Sequence, residues 1–75
     1  MLIKLTKENY RNMIDKMVSD KLFSSDNKFL FHSRFLSVNE VEMYAYDNNI
    51  ILSVVESDIN ENYYEIKYIT KFDSI

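Results

Sequence analysis

Not one of the 75 residues is Gly, Pro or Cys. Every tight turn must therefore be made by residues that carry a side chain, and Asn and Asp reach the left-handed region at least cost. Three places offer them: Ser24-Ser25-Asp26-Asn27, Asp47-Asn48-Asn49, and Asp58 to Asn62. The same gaps remove whole functional classes. A phosphate-cradling loop needs Gly for close backbone approach, and a GxSxG nucleophile elbow needs it for its strained turn. Disulfides are impossible, and His32, the lone histidine, cannot build a structural zinc site without thiolates.

A chain this short forms one domain, residues 1–75, with a core near the lower limit for a monomer. Its apolar content of 47%, with six Tyr and five Phe, is ample for packing and argues against disorder. The start, Met1-Leu2-Ile3-Lys4 followed by polar residues, carries no secretory pattern. The longest apolar run, Ile50 to Val55, contains Ser53 and is strand-sized, far below the ~18 residues of a membrane span. The expectation is a soluble cytoplasmic protein, in the host cytoplasm if the source is viral, with no membrane partner and no cofactor.

Leu2, Ile3 and Leu5 are an apolar lead compatible with a short N-terminal strand. Thr6 is a suitable N-cap, with Leu5 and Tyr10 placed as a hydrophobic staple. Tyr10, Met13, Ile14, Met17 and Val18 then follow helical spacing, which predicts a helix from about Lys7 to Asp20. Beyond the loop the period becomes two. Phe29, Phe31, Ser33 and Phe35 alternate with Leu30, His32, Arg34 and Leu36. Val41, Met43 and Ala45 alternate with Glu42, Tyr44 and Tyr46. Ile50, Leu52 and Val54 alternate with Ile51, Ser53 and Val55. Tyr64, Ile66, Tyr68, Thr70 and Phe72 alternate with Tyr63, Glu65, Lys67, Ile69 and Lys71. One local signal competes: Ser37-Val38-Asn39-Glu40 matches a capping box that could open a helix over 38–47 with Val38, Val41 and Ala45 inward. The β-prone content of Val41 to Tyr46 and the turn after it favour a strand.

The expected fold is α+β: one N-terminal helix packed on a four-stranded antiparallel meander, with room for the short N-terminal strand. One helix covers one face of that sheet. Phe29, Phe31, Phe35, Val41 and Met43 are expected beneath it; Leu30, Tyr44, Tyr46, Ile51, Val55, Tyr63 and Ile69 are candidates for the open side. Such a patch marks a protein contact, so a homodimer or a partner surface is expected there.

Charge is strongly segregated along the chain. Residues 1–34 hold Lys4, Lys7, Arg11, Lys16, Lys21, Lys28 and Arg34 against four acids. Between Phe35 and Ile66 stand Glu40, Glu42, Asp47, Glu56, Asp58, Glu61 and Glu65, with no Lys, Arg or His. The three segments contribute +3, −7 and +1 to the net charge of −3. Charge asymmetry speaks to partners rather than to fold. If the seven carboxylates form one surface, it is steered toward a basic partner, most naturally the phosphate-binding groove of a nucleic-acid enzyme. Tyr44, Tyr46, Tyr63 and Tyr64 among them would supply apolar anchors. The bases are spread too widely for a nucleic-acid surface of the chain's own. Solvated acids are the bland reading of the same residues.

His32 and Arg34, two apart on a strand, could serve a small ribonuclease as general acid/base and phosphate ligand. No second catalytic group is spaced to join them. Abundant Asn, Lys, Ile and Tyr fit the AT-rich codons of a low-GC bacterium or its phage. In size, composition and lack of catalytic equipment the chain resembles the small accessory proteins that phages make to disable host or defence machinery. That resemblance implies a non-enzymatic inhibitor of a host or defence nucleic-acid enzyme, such as a CRISPR or restriction effector. Its expected contact residues are Glu40, Glu42, Tyr44, Tyr46, Asp47, Glu56, Asp58, Glu61, Tyr63 and Glu65. Alternatives are a homo-oligomeric interaction protein or a ribonuclease-type toxin using His32 and Arg34.

Overall fold

Thr6 and Asn9 cap each other at the start of the first helix. The Thr6 Oγ1 accepts the Asn9 N–H at 3.1 Å, and the Asn9 Oδ1 accepts the Thr6 N–H at 2.7 Å. One turn later the helix α1 runs Tyr10–Ser19, burying Tyr10, Ile14 and Met17 on the face that the spacing marks. The computed structural model describes residues 1–19, 26–58 and 61–72. Asp20, Ser24 and Ser25, expected at the helix end and in the following loop, lie outside them.

Before α1 comes β1, Leu2–Lys4, and after it β2, Lys28–His32. The two pair in parallel, Leu2 with Lys28 and Lys4 with Leu30. The chain continues through α2, Val38–Asp47, then β3, Ile50–Glu56, and β4, Tyr63–Lys71. Sheet order is β1-β2-β4-β3, and β4 runs antiparallel to both of its neighbours. So β1, β2 and β3 all point the same way, with β4 inserted between the last two. Among the described residues the architecture is α+β, with two helices on a mixed four-stranded sheet. A single helix on an antiparallel meander is not what forms.

The difference begins at residues 38–47, where the capping signal prevails over β propensity. Ser37 is extended (φ −80°, ψ 153°) and its Oγ accepts the Glu40 N–H at 3.1 Å. Val41 and Ala45 are buried on one helical face, with Val38 packed beside them. Width supplies the tertiary reason. Four strands about 4.8 Å apart are too broad for one helix about 10 Å across. Accordingly α1 lies against β4 and α2 against β3, and the two helices touch. Both feed one core with Leu5, Phe29, Phe31, Leu36, Ile50, Ile66 and Ile69. As a helix, 38–47 turns Met43 outward (52% exposed) rather than beneath α1.

Two further departures have local causes. Strand β2 stops at His32, whose carbonyl accepts both the Phe35 and the Leu36 N–H at 3.0 Å. That turn buries Leu36 and leaves Phe35 61% exposed, reversing the expected placement of Phe35. On β4, Ser53 faces Tyr68 while Val54 faces Ile66, so Lys67 is an extra, bulged residue. A bulge breaks strict alternation. Past it, Ile69 faces the core and Tyr68 faces solvent, the opposite of period two.

The Asn turns form as the missing Gly requires: Asn49 and Asn62 take φ of 58° and 65°. Asn49 ends α2 rather than forming a hairpin, and the Asn48 amide donates to the Tyr44 carbonyl at 2.8 Å. No helix among the described residues is long and apolar enough to cross a membrane.

Candidate functional site

Three parallel strands bring their carboxyl ends to one edge of the sheet, the edge where open α/β sheets place ligand crevices. At this edge Lys4 ends β1, His32 ends β2 and Glu56 ends β3, while Tyr63 begins β4 between the last two. The edge is tied together by backbone bonds. Leu5 N–H donates to the Leu30 carbonyl at 2.7 Å, Ser33 to Asn62 and Ser57 to Tyr63, both at 2.8 Å.

Two adjacent concavities result, and their charges differ in sign. On the β3–β4 side a cavity of about 610 Å³ is lined by Glu56, Ser57, Asp58, Glu61, Asn62, Tyr63 and Tyr64. Glu56, Asp58 and Glu61 are exposed there, and Tyr63 and Tyr64 form half-buried walls. Tyr64 is braced from behind by Phe31, ring centroids 5.8 Å apart and stacked. The three carboxylates do not converge as metal ligands. On the β1–β2 side a cavity of about 320 Å³ is lined by Lys4, Leu5, Thr6, Lys7, Glu8, His32 and Phe35. Tyr63 stands between the two: His32 meets its ring edge-on at 4.8 Å, and the Lys4 ammonium lies 6.0 Å from its centroid.

The seven clustered acids of the sequence therefore fall into three groups. Glu56, Asp58 and Glu61 gather at the edge with Tyr63 and Tyr64. Glu40, Glu42 and Asp47 ride on α2, where Glu42 and Asp47 are exposed beside Tyr46 (79% exposed). Glu40 is held by Lys7 at 3.1 Å across the helix–helix groove. Glu65 lies on the open sheet face between Leu30 and Val55, largely covered and paired with Lys67 at 3.6 Å. Tyr44 is not a free anchor. Its hydroxyl donates to both Asp15 oxygens at 2.9 Å, and its ring meets Tyr10 edge-on at 5.9 Å. Burial first, then the hydrogen bond to Asp15 and its charge, holds the phenol above its usual 10.0.

His32 and Arg34 do not share a strand face, because Arg34 lies in the turn. The Arg34 N–H donates to His32 Nδ1 at 3.0 Å, while its guanidinium stands 5.9 Å from the Phe35 ring. With Nδ1 accepting, the neutral imidazole carries its proton on Nε2. Sequence reasoning passed over Lys4, Lys7 and Phe35 as site residues. The parallel pairing of β1 with β2 brings Lys4 and Lys7 to the end of β2, the turn at the His32 carbonyl sets Phe35 there, and no short-range pattern encodes either. No family model, curated protein or solved structure matches the chain.

Proposed function

We propose that this is a non-enzymatic binding protein that blocks a nucleic-acid enzyme, with its acidic sheet edge occupying the phosphate-binding groove of that enzyme. The supporting observation is the grouping of Glu56, Asp58 and Glu61 at one concave edge with Tyr63 and Tyr64. None of these three carboxylates is ion-paired among the described residues, so all three are available to partner cations. Carboxylates spaced along a ridge can replace phosphates against Lys and Arg, and the long-range field speeds encounter. A target among phage-restricting effectors, CRISPR or restriction enzymes, suits an inhibitor of this size encoded by a phage or mobile element. The test is affinity capture of the tagged chain from its native cell. The expected catch is a nucleic-acid enzyme released by salt and by added competing DNA or RNA. A catch indifferent to both would overturn the reading.

The sheet face opposite the two helices favours a second reading, self-association. It exposes Leu2, Ile51, Val55 and Tyr68 together, and exposed apolar sets of this kind commonly mark contacts. Sedimentation velocity over a concentration series is expected to show a dimer if that face pairs with itself. A monomer throughout removes it.

A further inference from the structure

We infer that the basic cavity at the ends of β1 and β2 holds one nucleotide unit, its base against Phe35 and His32 and its phosphate against Lys4 and Arg34. This goes beyond the acidic edge and uses different residues. Phe35 is the starting observation. It is 61% exposed in a turn, outside the core, with His32 tilted against it at 5.7 Å. An exposed ring gains most by stacking on another flat ring, and base–aromatic stacking tolerates any base.

Cations stand near the same ring. The Arg34 guanidinium, beside the cavity rather than in its lining, is 5.9 Å from it; Lys4 lines the cavity into which the ring faces, as does Lys7, whose ammonium is paired with Glu40 at 3.1 Å. Bases that are far apart in sequence are thus collected around an aromatic pair by the parallel β1–β2 pairing. His32 adds a donor, because its Nδ1 is already taken by the Arg34 N–H and Nε2 keeps the proton. Glu8, also in the lining, is an acceptor suited to the exocyclic amine of a base and opposes a bare anion. A volume of about 320 Å³ sits at the small end of ligand pockets, about 300–1,000 Å³, which limits the occupant to a single unit.

Size and charge also decide against a long tract. A groove that tracks single strands is basic along its length, whereas beyond Tyr63 the edge becomes acidic with Glu56, Asp58 and Glu61. The ligand is therefore a free mononucleotide or the terminal nucleotide of a strand.

Titration of the full-length, isotope-labelled chain separates these possibilities by amide shifts. The probes are the four ribonucleoside 5′-monophosphates, inorganic phosphate, adenosine, and a 5′-phosphorylated hexanucleotide. Saturable shifts at residues 4–8 and 32–36 are expected with a mononucleotide, and binding about tenfold or more weaker with phosphate or adenosine alone. Phe35→Ala is expected to weaken nucleotide binding about tenfold. Lys4→Gln is expected to weaken it several-fold and flatten its salt dependence. Both side chains are exposed, so fold loss is not at issue, and unchanged shifts elsewhere confirm it. A hexanucleotide that matches the mononucleotide supports a terminal unit as source; one that fails to bind supports the free nucleotide. Phosphate binding as tightly as nucleotide, no saturable shift, or unchanged affinity in Phe35→Ala overturns the site. None of these readouts depends on the acidic edge, so the two readings fail separately.

Discussion

Phe31→Ala is expected to lower the urea midpoint of the chain severely, while Phe35→Ala, only four residues on, changes stability little. Phe31 is fully buried, stacked on Tyr64 and part of the single core that both helices share. Removing such a ring costs about 3–5 kcal/mol through lost burial and the void left behind. At ~0.05–0.15 kcal/mol per residue, a chain of 75 residues has a total on the order of 4–11 kcal/mol, so this one change removes from about a quarter to all of it. No disulfide is available to compensate. Phe35→Ala removes a ring already in water and should stay within about 0.5 kcal/mol. Urea titration followed by far-UV circular dichroism reads both. A Phe31→Ala variant as stable as the parent, or a Phe35→Ala variant that unfolds, would mean that the chain does not turn at His32.

That pair also shows where local pattern informs and where it stops. Phe29, Phe31 and Phe35 share a parity, so alternation alone puts all three on one face. The turn that separates them depends on a His32 carbonyl accepting two amides and on Nδ1 receiving a third. Nothing in residue type marks that event. The first helix was legible because staple, cap and apolar stripe agree, and Leu5 and Tyr10 are both buried as the staple requires. Strands β3 and β4 were legible from alternation, and positive φ at Asn49 follows from the want of Gly.

Residues 38–47 carry two contradictory signals, a cap and β-prone content. What resolved them was the need to cover a four-strand sheet, which is a property of the whole chain. The bulge at Lys67 lies further out of reach. One inserted residue moves Ile69 inward and Tyr68 outward, and its position is chosen by the partner strand. Of the expected contact residues, the fold unites Glu56, Asp58, Glu61 and Tyr63, which are close in sequence across one connection. It separates them from Glu40 and Glu65, each claimed by a lysine from outside the acid-rich window.

This separation allows the acidic edge to be tested against mere net charge. In the triple variant Glu56→Gln, Asp58→Asn, Glu61→Gln, binding to the captured enzyme is expected to weaken by about ten- to hundredfold, mostly through slower association. The salt dependence should flatten as well, because fewer unit charges remain to be screened. The control, which removes two charges against three, is Glu40→Gln with Glu65→Gln. Both groups already neutralise a lysine, at 3.1 and 3.6 Å, so their loss frees a cation but removes little field from the edge. In both pairs the lysine is exposed to solvent, which screens the pair, and affinity should change by no more than about threefold. Surface plasmon resonance at several salt concentrations measures association and dissociation for parent, triple variant and control. Equal losses in the two variants would show that overall charge, not placement, governs the encounter. An unchanged triple variant would remove the acidic edge as the docking surface altogether. The expected asymmetry follows from one structural fact: the three edge carboxylates face solvent beside Tyr63 and Tyr64, and no cation among the described residues is ion-paired with them.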